Sequence, residues 1–377
     1  NSNAELAFVS TNSVTQGEQV SSLWPHILRL NLEINFAYKS FHWKNNARAK
    51  AGVTCVIISL INKSNKPKKL FTQNKYIISK NINPYLINMN LNTIIHRTIK
   101  PLFNKPKMLY GNKPTDEGNF ILTYEEKEQL LEEDEKSKKF IKKYIGAQEF
   151  IKGIRRWCLW INDDKKDEAL SIKSIAKRIL KVQEFRSKST SKNTREAIKK
   201  SHRFIGIQHE PDDALIIPCV SSGERKYIPI GFVNSEYVIN NNAHAIYRPE
   251  NYIFTFVSSK MHMSWVNTVS GRLRSDFNYS SSFCYNPFPI PKLDQNQKKM
   301  LQEKTLEIID IREQFSEMTI AELYNNETMP EFLFNKHKEI DKIVDSFYSK
   351  KIIENDDERI KILFEMYDNK ENRNLLF

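Results

Sequence analysis

A nearly unbroken apolar run, GVTCVIISLI at residues 52–61, is the feature that most constrains the fold. Runs of this kind are typical of a strand that is buried on both faces of a sheet. Residues 5–10 and 34–43 also have strand-like patterns, and residues 22–28 predict a helix with Pro25 in its first turn. The order strand, helix, strand, loop, strand predicts the trailing edge of an α/β sheet. Because the chain opens on an interior-type strand, we expect the domain to be truncated here.

The rest of the chain predicts a mixed α/β fold that ends in helices. A polar, basic linker is expected at 62–69. Thr123 is a plausible N-cap for a helix over 123–144, since acidic residues follow it in the first turn. A second, basic amphipathic helix is predicted over 169–189. Strands are expected at 214–218 and 226–232, and helical patterns rich in Glu and Lys run from residue 292, with Pro330 breaking one of them.

The positive charge is concentrated at the beginning of the chain. The whole chain carries a net charge of +13, and residues 1–113 by themselves sum to +13, residues 114–291 to +5 and residues 292–377 to −5. Such a distribution indicates an anionic partner, and nucleic acid is the first candidate because lysine and arginine neutralise phosphates. A lysine-rich surface derived from an AT-rich genome is the alternative, which the many Asn, Ile and Lys residues favour.

Other classes of protein fit the composition poorly. No apolar run approaches the ~20 residues that a membrane-spanning helix needs, and the first residues do not resemble a signal peptide. The four cysteines are far apart with no CxxC pair, which suits neither a zinc site nor a disulfide framework. The ten glycines are too dispersed for a dinucleotide or P-loop signature. We therefore expect a cytoplasmic protein without membrane contact.

Segment 36–60 carries aromatic residues, then basic residues, then a buried strand. In one interpretation, Phe41 or Trp43 stacks on an unpaired base while cations of the following loop hold phosphates. In the other, the aromatics belong to the core and the loop is merely solvated.

Three fragments imitate catalytic motifs. Residues 83–85 and 286–288 read Asn-Pro-aromatic, with one proline fewer than the Asn-Pro-Pro-aromatic tetrapeptide of adenine methyltransferases, and are interpreted as chain turns. Asp116 followed by Glu125-Glu126-Lys127 imitates a nuclease metal site, but these glutamates fall in the first turn of a predicted helix.

Taken in order, the segments of the chain resemble the type IIL restriction–modification family, in which one polypeptide joins a nuclease, an adenine methyltransferase and a target recognition domain. The resemblance covers nearly the whole chain up to Pro291. The matching segments are AFVSTNSVTQGEQVSSLWP (7–25), FAYKSFHWKNNARAKAGVTCVII (36–58), KPLFNKPKMLYGNKPTDEGNFIL (100–122), FIKKYIGAQEFIKGIRRWCLWI (140–161), VSSGERKYIPIGFV (220–233), KMHMSWVNTVSGRLRSDFNYS (260–280) and YNPFPIP (285–291).

The resemblance implies sequence-specific recognition of double-stranded DNA in the service of adenine methylation. It implies three parts: the C-terminal edge of a class I methyltransferase domain (1–66), a target recognition domain (67–291) and a helical C-terminal tail (292–377). The family's Gly-rich S-adenosylmethionine loop and its catalytic tetrapeptide have no match in this sequence. No catalytic, cofactor-binding or metal-binding residue is therefore carried over, and we expect this chain alone to be inactive. The donor, and a divalent metal if there is a nuclease domain, belong to the upstream part of the full-length protein.

The resemblance also assigns site residues. Phe41, or else Trp43, would contact the flipped adenine. Arg274 and Asp276, which flank one serine, would read a base pair; a surface salt bridge between them is the alternative. Phosphate contacts are predicted for Lys44, Arg48, Lys50, Lys113 and Arg272. A stand-alone, non-catalytic DNA-specificity subunit is the competing interpretation of the whole chain, although such a subunit has no reason to carry a methyltransferase edge.

Overall fold

The structure is a computed structural model that describes residues 4–43, 53–72 and 75–374. Its first part is a five-stranded sheet with one covering helix. The elements are β1 (Glu5–Thr11), α1 (Gly17–Arg29), β2 (Leu32–Trp43), β3 (Val53–Asn62), β4 (Lys68–Thr72) and β5 (Lys75–Ser79). The order is β1-β3-β2-β4-β5, and β3 is antiparallel to both of its neighbours. The expected edge of an α/β sheet is confirmed, with the apolar run in an interior position and buried residues on both of its faces.

Two local predictions for this part are wrong. Helix α1 begins at Gly17, so Pro25 lies inside the helix rather than in its first turn. Residues 62–69 are not simply a solvated linker, since β4 starts at Lys68 and the sheet continues to Ser79. The Lys68 ammonium is buried, lies 2.8 Å from a carboxylate oxygen of Glu33 and donates to the backbone carbonyls of Ser64 and Lys66.

The middle of the chain combines short strands and helices. Its strands are β6 (Leu109–Tyr110), β7 (Ile121–Leu122), β8 (Ile141–Ile145), β9 (Arg156–Leu159), β10 (Ala214–Pro218), β11 (Val220–Ser221), β12 (Gly231–Val233), β13 (Tyr237–Ile239), β14 (Ala243–Tyr247), β15 (Gly271–Leu273) and β16 (Asp276–Asn278). Its helices are α2 (Tyr124–Glu133), α3 (Ala147–Lys152), α4 (Lys166–Ser171), α5 (Lys173–Ser187), α6 (Lys192–Glu196), α7 (Tyr252–Val257) and α8 (Lys260–Val269). The sheets they form are β12-β10-β14-β6, β11-β16-β15 and β13-β8-β9-β7.

Thr123 does cap α2, in a capping box with Glu126. The predicted helix over 123–144 nevertheless ends at Glu133, and the chain then forms a 3-10 helix and β8. Asp134 is extended, and its side chain accepts from the amide of Lys136, which starts the 3-10 helix. Burial of Phe140 in the core that β7, β8 and β9 share with α5 fixes the new direction.

Two further elements differ from the sequence prediction. The helix predicted over 169–189 is divided into α4 and α5 at Ile172, a buried residue in an extended conformation. The strand predicted over 226–232 is an irregular segment up to Ile230, with β12 starting only at Gly231. Pro229 has no amide proton to donate to a neighbouring strand. Ile228 and Ile230 are nevertheless buried in the core, although they precede β12.

The last part is helical, as predicted, and packs against the rest. It contains α9 (Gln295–Gln314), α10 (Ile320–Leu323), α11 (Glu331–Tyr348) and α12 (Asp356–Asn374). One hydrophobic core joins it to the other two parts, since the same cluster contains Trp24 of α1, Trp265 of α8 and Phe364 of α12. The three parts are therefore held in a defined relation. Among the described residues, no helix is both long and apolar enough to cross a lipid bilayer.

Candidate nucleic-acid interface

Three of the predicted site residues, Arg272, Arg274 and Asp276, lie on the hairpin formed by β15 and β16. Leu273 pairs with Asp276, which leaves Arg274 and Ser275 as a two-residue loop. Arg274 has φ +59°, a left-handed conformation in which glycine is favoured. The backbone thus holds an arginine at the tip, although a glycine would form this turn with less strain.

The inner face of the hairpin is packed. Phe277 is buried, and the guanidinium carbon of Arg272 lies 3.9 Å from the centre of its ring. Arg272 also donates to the backbone carbonyl of Ser275 at 3.1 Å and to the side-chain oxygen of Asn267. Burial lowers the pKa of Arg272, and the nearby Asp276 carboxylate opposes that shift. Arg272 therefore braces the hairpin, and its role in phosphate contact remains a prediction.

Arg274 and Asp276 do not stand in the geometry that the sequence suggested. We expected residues two apart along one strand or extended loop, but the turn falls between them, with Arg274 in the loop and Asp276 in β16. The alternative of a mutual salt bridge is wrong, since no Arg274 nitrogen lies within 4.0 Å of an Asp276 oxygen in the described structure. Asp276 instead interacts electrostatically with Arg225 and Arg272. The Arg274 side chain is exposed and Asp276 is half-buried.

Two glycines fix the position of the hairpin. Gly17, at the start of α1, has φ +59°, and a Cβ placed on it would lie 3.0 Å from the Cα of Gly271. Gly223 backs the loop, where a Cβ would lie 2.2 Å from the carbonyl oxygen of Ser275. These close backbone approaches connect the hairpin to the start of α1 on one side and to the 222–224 turn on the other. Sequence inspection missed both, because the partners are distant in the chain.

A cleft of about 530 Å³ lies between the first sheet, the hairpin, α8 and α12. Lys39 of β2 reaches across it to Asp357 of α12, with 3.3 Å between the ammonium and a carboxylate oxygen. The lining residues with polar or charged side chains include Asn12, Gln16, Ser40, His42, Asn267, Thr268, Arg272, Arg274 and Asp356. The two arginines of the hairpin thus share a polar cleft with the end of β2.

Phe41 and Trp43 lie on that end of β2 but do not line the cleft. Phe41 is half-buried opposite Cys55, and Trp43 is 48% exposed opposite Val53. Their ring centres are 6.3 Å apart. Because Ser40 and His42 line the cleft instead, the two aromatic rings form a separate, partly exposed pair. Neither ring belongs to the main core, so the stacking interpretation stays a prediction.

Of the predicted phosphate contacts, Lys44, Arg48 and Lys50 lie outside the described residues. Lys113 is exposed on a backbone bridge to Gly206, where its amide donates to the Gly206 carbonyl at 2.8 Å.

A further group of cations lies on α5. Lys173, Lys177 and Lys181 recur at every fourth position and are exposed. None of the three forms an ion pair with a carboxylate of the described residues, whereas Lys188 is paired with Glu184 at 2.6 Å. We call these three lysines the α5 stripe, a positive surface that no carboxylate of the described residues neutralises through an ion pair.

In each of the three fragments that imitate catalytic motifs, a polar side chain forms hydrogen bonds within the fold. The Asn83 side-chain oxygen accepts from the amides of Tyr85 and Ile87, both at 3.0 Å. The side-chain amide nitrogen of Asn286 donates to the backbone carbonyl of Thr98 at 2.8 Å. Asp116 is buried and accepts from the Phe120 amide at 2.6 Å, and burial raises its pKa. Within the described ranges, no cluster of three or more His, Cys, Asp and Glu side chains could hold a metal ion.

Comparison with known proteins gives matches along the whole chain. Residues 1–72 match the family model described as MmeI, DNA-methyltransferase domain, residues 89–292 match MmeI, target recognition domain, and residues 293–375 match MmeI, C-terminal domain. DNA methyltransferase A of Bacillus subtilis (strain 168) is 40% identical over 366 residues, which cover 97% of this chain and 41% of that protein.

A solved structure of the type IIL restriction–modification enzyme MmeI in complex with DNA is 40% identical, with a TM-score of 0.91 over 99% of this chain and 50% of that chain. The chain thus spans half or less of the length of these relatives. The resemblance seen in the sequence is confirmed, and the chain belongs to the MmeI family of type IIL restriction–modification proteins.

Proposed function

We propose that this chain recognises a specific sequence in double-stranded DNA as part of a site-specific adenine methyltransferase of a restriction–modification system. The observation that carries the proposal is the rigidly backed hairpin, which presents Arg274 at its tip and Asp276 beside it. Support comes from the similar MmeI structure, which holds DNA, and from the Bacillus subtilis relative, which is a DNA methyltransferase. A stand-alone specificity subunit is not favoured, because residues 1–72 match a methyltransferase domain.

Arg274 and Asp276 together read one G·C base pair in this proposal. The forked guanidinium matches the two major-groove acceptors of guanine, and a carboxylate accepts from the amino group of the paired cytosine. Among the described residues, neither side chain forms a hydrogen bond or an ion pair within 4.0 Å, and Arg274 is exposed while Asp276 is half-buried, so both remain able to bind base edges.

The remaining assignments belong to the full-length protein. Residues 1–66 complete the methyltransferase domain, 67–291 form the target recognition domain and 292–377 the helical tail, and the upstream part of the polypeptide is their covalent partner. Phe41 or Trp43 stacks on the extruded adenine. S-adenosylmethionine supplies the methyl group, but this chain offers no Gly-rich loop for it. We therefore assign no donor-binding residue here, and no metal ligand.

The test exchanges the two charges, as Arg274→Glu with Asp276→Arg, in the full-length enzyme. Methylation sites are mapped by sequencing for the natural enzyme and for the variant. We expect the preference at one position to move from G to C while the other positions stay the same. Each wrong base pair should cost on the order of 1–3 kcal/mol of discrimination.

A matched control exchanges an exposed pair away from the hairpin, Lys143→Glu with Glu236→Lys, and should leave the recognised sequence unchanged. A folded Arg274/Asp276 variant that still modifies the original sequence would refute the assignment. A natural enzyme that methylates without sequence preference would refute the proposed function itself.

A further inference from the structure

Leu273 is exposed at the end of the hairpin, with 58% of its surface accessible. It is absent from the hydrophobic core and from the partly buried residues that pack against that core. Single exposed leucines are ordinary on protein surfaces. The position of this one, between Arg272 and the Arg274 tip, is what distinguishes it.

The strand register determines which way Leu273 faces. Leu273 and Asp276 are direct partners in the antiparallel ladder, and direct partners lie on the same face of a sheet. Arg272 and Phe277 are the next pair, and they occupy the packed inner face. A carboxylate at 276 that reads a base edge therefore has the Leu273 side chain beside it, facing the same groove.

We propose that Leu273 is a further specificity-determining residue, which contacts the C5-methyl group of a thymine next to the base pair read by Arg274 and Asp276. This proposal rests on the proposed function. Thymine is the base that presents a methyl group in the major groove, and apolar side chains recognise it there. The Cβ atoms of direct cross-strand partners are ~5 Å apart. Base pairs follow each other every ~3.4 Å along each strand, so Leu273 reaches the neighbouring pair.

The experiment uses the full-length enzyme and duplexes that contain its mapped sequence. Each thymine of the sequence is replaced in turn by deoxyuridine, which keeps the hydrogen-bonding groups and removes only the methyl group. Equilibrium binding is measured for the natural enzyme, Leu273→Ala and Leu306→Ala. Leu306 is an exposed leucine on α9, at 47%, and serves as the control away from the hairpin and from the α5 lysines.

We expect the natural enzyme and Leu306→Ala to lose about fourfold in affinity when one particular thymine is replaced by deoxyuridine, the value that burial of a single methyl group predicts. Leu273→Ala should bind the thymine duplex and the matching deoxyuridine duplex with equal affinity. The truncation removes no core contact, so the variant should fold.

Three results would overturn the proposal. In the first, the natural enzyme binds every uracil duplex as tightly as the thymine duplex. In the second, Leu273→Ala keeps the full penalty. In the third, Leu273→Ala weakens all duplexes equally, as a wedge between bases would. Each of these leaves sequence-specific binding intact, whereas loss of specific binding by the natural enzyme would refute the proposed function as well.

Discussion

Arg186 gives the sharpest test of how the target recognition region is held together. Its side chain on α5 is completely buried. No carboxylate of the described residues lies within ion-pair distance, and the guanidinium donates instead to five backbone carbonyls. These are the oxygens of Pro114 (3.0 Å), Thr115 (3.1 Å), Ala197 (3.2 Å), Lys200 (2.8 Å) and Arg203 (2.8 Å).

Burial lowers the pKa of Arg186 to about 10, with the Asp116 charge opposing the shift, so the group is still a cation at neutral pH. The change to test is Arg186→Met, which keeps much of the side-chain volume and removes every donor. A hydrogen bond to a charged group contributes ~1.5–3 kcal/mol net. Water can replace some of the five, and their energies do not add, so we expect a loss of at least ~3 kcal/mol, comparable to breaking a buried ion pair. That is a large part of a typical domain stability of ~5–15 kcal/mol.

Denaturant unfolding measures the total loss, and amide hydrogen exchange shows where it occurs. Exchange should rise most in 197–203, because three of the five carbonyls lie there. Arg186→Lys should be intermediate, since an ammonium has three donors for five acceptors. Lys188→Met, at the residue that follows α5 and with 72% of its side chain exposed, is the control. An Arg186→Met variant that unfolds at the same denaturant concentration as Lys188→Met would contradict this role of Arg186.

Three other outcomes are expected. The logarithm of the DNA-binding constant should fall steeply with the logarithm of salt concentration, and replacing Lys173, Lys177 and Lys181 by Gln should reduce that slope by up to ~0.9 for each lysine; an unchanged slope would exclude the α5 stripe from phosphate contact. Phe41→Ala in the full-length enzyme should slow methylation more than it weakens duplex binding, as stacking on a flipped base is worth ~1–3 kcal/mol; equal effects on both would contradict the stacking role. Burial raises the pKa of Asp341 to about 6 from 3.8, so its stabilising contribution is complete below pH ~4 and is lost as the pH rises through 6; unfolding titrations of Asp341→Asn should lack that loss, and identical pH profiles would contradict it.

The sequence predicted an element correctly where residues close together in the chain determine its structure. The apolar run became β3 because any sheet buries such a strand, and Thr123 caps α2 through contacts with a residue three positions away. The end of α2 was not predictable in this way. Residues 134–144 have a helical composition, but with Phe140 buried against β9 and α5 the chain forms a 3-10 helix and then β8 instead.

The candidate site shows the same division. The sequence pointed to Arg274 and Asp276 but assumed that both lie along one strand or extended loop. The register that places Arg274 in the turn and Asp276 in β16 depends on pairing with β11 and on the backing by Gly223. Leu273 was overlooked because an exposed leucine carries no signal until its ladder partner is known. The approach of Gly17 to Gly271 joins positions 254 residues apart, for which a single sequence offers no evidence.

This arrangement separates stability from specificity. The core that joins the three parts includes Phe277 and ends there, so Leu273, Arg274 and the half-buried Asp276 contribute no side chain to it. Substitutions at the hairpin tip should therefore alter which bases are contacted while the free energy of unfolding stays nearly the same. A side chain introduced at Gly17 or Gly223 should instead displace the whole hairpin, because its Cβ meets backbone atoms of the hairpin. In the proposed function, specificity therefore depends on side chains of the hairpin whose position is fixed by the close backbone approaches at Gly17 and Gly223.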